Sequence, residues 1–426
     1  MKLNPFLSKK ELALEISIVP LLIFKIGLIL SILIQVYAYF RDSSLIYGNQ
    51  SLFPPQIADL YLTSGVLALS QNVGPQILIV IFGLAILTLF KRPQRFSFGL
   101  LALLEILLNQ RNFIFSNRGD YSLVYFCLMA ALVPTVTFNN RKQKIRIAEM
   151  FPLFLLHSII YFLNFVFKIS SAWGRGDGLK FTLNHVELLR WPVKLDSSQM
   201  LFLNYSAILT IMFAGFSAFI SVRLSRTRTF MSVLTIGYHL VANLLMRLSW
   251  LSMPFLFLEI AMFCFRSTEI KPGKGTPGIF HWTQKIAIAL LLIGFFGIKD
   301  VGDLSVFDGR QNIFLGHNWY MFSPPPPMSG EWRALIKSWD KNRPIYMAEL
   351  RQKLGFFLFQ HEYKYFFNLR RTELLPVVGR LGQKLCEIYK VENPKEIQLI
   401  YSGRLFEKSE SFEMKYQAVD CTARSL

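Results

Sequence analysis

His157, Tyr161, Asn164 and Lys168 follow one another at spacings of 4, 3 and 4 within an apolar stretch. That spacing places all four on one face of a helix. An imidazole, a phenol, an amide and an amine in one stripe can hold a weakly acidic molecule and take its proton. A lysine desolvated in a low-dielectric site gives up its own proton more readily and serves as a base near neutral pH. Lys168 closes the stripe, Trp173 follows five residues later, and then Gly174-Arg175-Gly176-Asp177-Gly178. The opposing reading is anchoring, with Lys168 reaching out to lipid headgroups.

Three further sets have the same double character. His239, Asn243 and Arg247 share a second helical face, suited either to lining the same site or to hydrogen bonding between helices. Asn109 to Asp120 is a short polar connection in which Arg111 and Asp120 are candidate substrate-binding residues, with Glu105 one turn below. Its simpler reading makes Asp120 the N-cap of the next helix. Asn318-Trp319-Tyr320-Met321-Phe322-Ser323 precedes four prolines and reads as an interfacial anchor or as a lid, with Trp319 the residue that would touch a ligand. No Cys or His spacing resembles a zinc site, so no metal is expected. Phosphate-binding loops, hydrolase elbows and zinc-protease motifs are absent from the sequence.

The elements that must carry these residues follow from composition. Of 426 residues 53% are apolar, including 40 Phe, and only 17% are charged. Soluble domains carry about 25% charge, so the expected class is an all-α polytopic membrane bundle in a lipid bilayer. The formal charge of +19 does not indicate nucleic acid, because the basic residues fall in short clusters between apolar stretches.

Nine spans are expected: Ile18 to Phe40, Val73 to Phe90, Phe96 to Phe113, Tyr121 to Phe138, Phe151 to Lys168, Met200 to Val222, Thr229 to Trp250, Pro254 to Phe265 and Trp282 to Ile298. The eighth is the weakest and could be re-entrant. The even-numbered spans end in basic clusters, from Lys91 to Arg95, Arg141 to Arg146, Arg223 to Arg228 and Arg266 to Lys274. By the positive-inside rule these are cytoplasmic, with the N-terminus inside and the C-terminus outside. The first apolar run lacks a cleavage site and is expected to stay as an anchor.

Residues 1–17 then form a cytoplasmic segment, 18–330 the membrane domain and 331–426 a small extracytoplasmic α+β domain. Within it Lys337 to Phe367 reads as partly helical, and Glu396 to Tyr401 and Glu413 to Val419 as strands. Cys127 and Cys264 lie in spans, whereas Cys386 and Cys421 lie outside, where an oxidising compartment allows them to pair. A bacterial cytoplasmic membrane fits this orientation, as does an endoplasmic reticulum membrane with the site lumenal.

Four stretches resemble the HTTM (horizontally transferred transmembrane) domain, the membrane domain shared with vitamin K-dependent gamma-carboxylase. They are the first span with Lys25 through Tyr39-Phe40-Arg41-Asp42; Arg111-Asn112 with Asn117-Arg118-Gly119-Asp120; Tyr161 to Ile169 with Trp173 and Asp177-Gly178; and Trp319-Tyr320-Met321-Phe322-Ser323-Pro324-Pro325-Pro326. The resemblance implies a helical bundle with an extracytoplasmic site. It implies Lys168 as the base acting on vitamin K hydroquinone or another lipid-soluble quinone, and His239 as a second catalytic residue. His157, Tyr161, Asn164, Arg111, Asp120, Trp173 and Trp319 would bind substrate. The sequence departs from the family at Phe167, where the carboxylases carry a second lysine, at Phe165, where they carry a glycine, and at Asp120, where a eukaryotic carboxylase has a histidine. The tail is also too short for the lumenal domain that captures glutamate substrates. Two functions are therefore expected side by side: a carboxylase-like or degenerate membrane enzyme, and a non-catalytic scaffold or maturation factor for a secreted polypeptide. A transporter is a third reading, for which the sequence offers no internal repeat.

Overall fold

The computed structural model describes residues 15–47, 51–52, 73–90, 94–111, 115, 118–136, 143–170, 179, 189–191, 195–220, 225–246, 252–263, 282, 284–290, 328–339, 341–356, 362, 365–366, 369, 375–405 and 411–422. The chain divides into two compact units. Unit 1 comprises residues 1–36, 79–109 and 118–324; unit 2 comprises 37–78, 110–117 and 325–426.

Helices dominate the first three hundred residues: α1 (Val19–Arg41), α2 (Val73–Phe90), α3 (Gln94–Arg111), α4 (Arg118–Leu132), α5 (Phe151–Ser170), α6 (Ser197–Ile220), α7 (Ser225–Leu245) and α8 (Ser252–Phe263). Val19–Arg41, Ile147–Val166 and Ser197–Gly215 are long and apolar enough to cross a membrane. Several helices start a few residues before the apolar runs, because a polar first turn is still helical although hydropathy does not register it. α4 stops at Leu132, short of the expected Phe138, since Pro134 disfavours helical backbone at Val133. The ninth expected span is described only at Trp282 and at residues 284–290, which are helical.

In unit 1, α5 packs along α6, and α8 touches α4, α5 and α7. Two glycines set these approaches. A Cβ at Gly215 would lie 2.9 Å from the backbone nitrogen of Phe162, so glycine there lets α6 approach α5 closely. A Cβ at Gly27 would sit 2.0 Å from the Phe257 ring, which seats α8 against α1. At one end of the bundle β1 (Glu15–Ser17) pairs antiparallel with β2 (Lys144–Arg146).

At the same end a polar knot fixes the segment after α4. The Gln94 side chain accepts from the Val136 N–H (2.9 Å) and donates to the carbonyls of Val136 and Thr88, acting as a stand-in peptide. Buried Lys25 donates to the Pro134 carbonyl at 2.7 Å and lies 5.3 Å from the Phe98 ring centroid. At the end of α7, Arg190 Nε donates to the Asn243 carbonyl (3.0 Å) and Trp191 Nε1 to that of Leu244 (2.8 Å). These carbonyls have no partner within the helix, so a cationic and an indole donor cap them.

Unit 2 is built on an antiparallel sheet of five strands: β3 (Met328–Ser338), β4 (Asn342–Tyr346), β5 (Pro394–Leu405), β6 (Ser411–Lys415) and β7 (Val419–Asp420). The order is β4-β3-β5-β6, with β7 also on β5. Trp332, Ala334 and Ile336 alternate inward along β3, the period of a half-buried strand. The expected partly helical stretch Lys337 to Phe367 holds the end of a strand, a second strand and a helix. Lys337 and Ser338 close β3, Pro344 lies in β4, and α9 spans Met347–Leu354. The expected strands at Glu396 to Tyr401 and Glu413 to Val419 fall on β5 and on β6 with β7.

α10 (Leu375–Ile388) buries Val377, Val378, Leu381 and Leu385 along one stripe. Gly382 lets it approach β7, where a Cβ would meet Val419 at 2.5 Å. Cys386 and Cys421 form a disulfide with their Cα atoms 5.4 Å apart. The core also takes in Phe115, which stacks on Tyr365 at 5.3 Å, and the Ser51 carbonyl accepts a hydrogen bond from Arg380 (3.4 Å). Unit 2 is thus made from three separate stretches of chain.

Candidate functional site

All four residues of the α5 stripe are buried; Lys168 is 3% exposed. The helix turns these residues to one side because each is three or four positions from the next. That side meets α7 and α8, which contribute a histidine and a glutamate.

His157 Nε2 and Glu259 Oε1 lie 2.9 Å apart, both fully buried. The Tyr161 hydroxyl hydrogen-bonds to His239 Nε2. The rings of His157 and Tyr161 are 4.6 Å apart between centroids, so the two bonded pairs adjoin. Glu259 also interacts electrostatically with His239 and Tyr161. Aromatic rings enclose the group: His239 stacks on Phe255 at 5.7 Å, Phe255 meets Phe126 edge-on at 5.0 Å, and Tyr238 lies 5.4 Å from His239. Tyr161 belongs as well to a small apolar cluster with Ile211 and Ala214 of α6.

Three helices, α5, α7 and α8, therefore supply one buried acid–base group: a carboxylate on an imidazole beside a phenol on a second imidazole. Such a group can hold a proton, pass it between neighbours and orient a hydroxyl or carbonyl. Among the described residues no group of three or more His, Cys, Asp or Glu side chains is placed to hold a metal ion.

The other expected residues are distributed differently. Lys168 stands seven residues beyond Tyr161 on α5, about 10 Å along the axis. Asn164 and Asn243 both bond back to their own helices, donating to the carbonyls of Ile160 (2.9 Å) and His239 (3.0 Å). Asp120 is not the N-cap of α4, which begins at Arg118; it lies in the first turn, where a carboxylate still favours the helix N-terminus. Gln35 of α1 donates to it at 2.8 Å. Buried Glu105 interacts with both Asp120 and Gln35, so these residues form a second polar centre. The Arg111 side chain, Trp173, Trp319 and Arg247 lie outside the described residues.

Glu259 escaped the sequence reading. Its signal was present, since it is the single ionisable residue between Pro254 and Phe265, and an ionisable group in such a run is a functional candidate by default. Gln35 had no comparable signal.

Comparison with protein-family models finds no match to this chain, and comparison with curated proteins and with solved structures finds none either.

Proposed function

We propose that this chain is a nine-span membrane protein of the HTTM type, with its N-terminus cytoplasmic and unit 2 extracytoplasmic. Its bundle acts as a carboxylase-like or degenerate membrane enzyme on a lipid-soluble, quinone-like substrate, with Lys168 as base. The observation that carries this reading is the burial of the α5 stripe, whose His157 and Tyr161 meet Glu259 and His239 in one acid–base group.

Fold parity supports the crossing count. Segments 37–78, 110–117 and 325–426 belong to one compact unit, which fits their parts outside the expected spans lying on one side of a membrane. Two helices separate the first two segments, and five helices with the expected ninth span separate the last two. β1 and β2 pair with each other, and four of the long helices lie between them. Each interval holds an even number of crossings, as nine spans with opposite termini require. Exposed Ile79, Phe202, Phe213 and Val233 on the bundle helices suit a lipid surround.

The residues suit a hydroquinone in kind. Such a molecule would supply a weakly acidic hydroxyl. Lys168 would take that proton in a desolvated setting, Tyr161 and His239 would orient an oxygen, and the surrounding rings would exclude water.

The test is quinone epoxidation by membranes containing the protein, supplied with vitamin K hydroquinone, oxygen and carbonate. Wild type should form epoxide, and Lys168→Ala and Lys168→Arg should not, with folding unchanged. Full activity in Lys168→Ala would overturn the assignment.

A second reading is a scaffold or maturation factor for a secreted polypeptide. The disulfide-tied, three-segment construction of unit 2 favours it, since that is a folded domain with its own core. Capture of a polypeptide by Lys168→Ala as well as by wild type, without epoxidation by either, would select it.

A further inference from the structure

One end of the unit 2 sheet carries an apolar centre ringed by lysines. β3 runs from Met328 to Ser338, and the turn beyond it presents Trp339. Trp339 is 71% exposed. Val391, in the short 3-10 turn Lys390–Glu392, is 98% exposed. The two turns adjoin, because Ser338 Oγ donates to the Glu392 carbonyl at 3.2 Å. Lys395 lies over the Trp339 ring, 5.0 Å from its centroid.

Among the described residues the unpaired charge around this centre is cationic. Lys341, Lys390 and Lys395 are exposed, and none has a carboxylate partner among the described residues. The neighbouring acids are already engaged, since Arg343 pairs with Glu349 and with Glu392, each at 2.8 Å. The Tyr389 hydroxyl donates to Glu349 at 3.0 Å and completes the frame. The frame is pinned from below, where Cys421 N–H bonds the Lys395 carbonyl at 2.9 Å and Cys421 is disulfide-linked to α10. A large exposed indole on a fixed support is the kind of side chain that anchors an interface. An apolar centre with a charged rim is the anatomy of a protein interface rather than of a flat basic face for a bilayer. A cationic rim selects an acidic partner.

We propose that this tip binds an acidic, partly apolar segment of a secreted polypeptide. Apolar side chains of the segment rest on Trp339 and Val391, and its carboxylates meet Lys341, Lys390 and Lys395. The disulfide gives the compartment, since such bonds persist outside the reducing cytosol. The proposal does not depend on enzymatic activity in the bundle.

The test uses the full-length protein in lipid nanodiscs and a fluorescein-labelled peptide of alternating Glu and Leu, followed by anisotropy. A peptide of alternating Lys and Leu is the control. The acidic peptide should bind and the basic one should not, with affinity falling as salt rises. Trp339→Ala should weaken binding about tenfold or more. The triple variant Lys341→Glu, Lys390→Glu, Lys395→Glu should abolish it. These side chains are exposed, so the variants should keep the Cys386–Cys421 disulfide and the wild-type melting profile. Equal binding of both peptides, or unchanged binding in both variants, would overturn the proposal. So would tip-dependent binding to phosphatidylglycerol vesicles in place of the peptide, or self-association that Trp339→Ala removes.

Discussion

The two units place their polar side chains in opposite ways. In unit 1 Lys25, Gln35, Glu105, His157, Lys168 and Glu259 are buried, while Phe202, Phe213, Phe230 and Val233 are exposed. In unit 2 Trp332, Tyr365, Leu381 and Leu385 are buried, and Arg333, Arg343 and Glu413 form ion pairs nearer the surface. On the proposed membrane reading, the same twenty side chains are sorted by two different solvents. Lipid leaves apolar groups outside and forces each polar group to find a partner within the bundle. Water does the reverse. One difference follows in energetics: a polar pair in unit 1 holds helices together, whereas an ion pair in unit 2 adds little.

The largest effect should come from the bundle's buried acid. Glu259→Ala removes the partner of His157 and should cost about 3 kcal/mol or more, read as a lower melting temperature in detergent or nanodiscs. Glu259→Gln, which keeps a hydrogen-bonding group, should cost clearly less. Equal losses would mean that α8 is held by packing alone.

Unit 2 should respond instead to its covalent tie. Cys386→Ser or reduction should destabilise it by about 3–4 kcal/mol through the freed loop, measured by proteolysis of unit 2 while the bundle stays protected. Simultaneous loss of both units would show that they do not respond separately.

Gly27→Ala places a methyl group on the Phe257 ring and should cost about 1–3 kcal/mol. Adding Phe257→Ala should recover part of that loss relative to the sum of the two single variants. Strict additivity would remove this contact from the account.

Alkali should act on unit 2. Burial, helped by the hydrogen bond to Glu349, raises the Tyr389 phenol above its ordinary value. A raised folded-state value means a contribution fully present below the unfolded phenol's pKa of about 10 and lost as pH rises beyond it. Tyr389→Phe should flatten the alkaline fall in unit 2 stability; an unchanged slope would count against the assignment. The smallest effect belongs to Arg333 and Glu413, each about one-third exposed. Removing the pair should change stability by no more than about 0.5 kcal/mol, and a larger loss would mean that the sheet face is less hydrated than its exposure suggests.

Much of this was legible in the sequence, for definite reasons. The apolar runs announced the long helices, and the spacing of His157, Tyr161, Asn164 and Lys168 announced the buried stripe. Periodicity says which residues share a helical face but not which helix faces them, so the pairing of His157 with Glu259 was invisible. The partly helical reading of Lys337 to Phe367 holds for Met347–Leu354, while the strand Asn342–Tyr346 was missed because so short a segment carries no clear alternation. Phe115 stacking on Tyr365 joins residues far apart in the chain, and no local pattern foretells it.

Sidedness is the most direct test of the central claim. Single cysteines at Ser411 and Lys144 would be labelled with a membrane-impermeant maleimide in right-side-out vesicles. Ser411→Cys should label at once, and Lys144→Cys only after permeabilisation. Labelling of both from the same side, or the reverse order, would contradict the nine-span arrangement and with it the extracytoplasmic placing of unit 2.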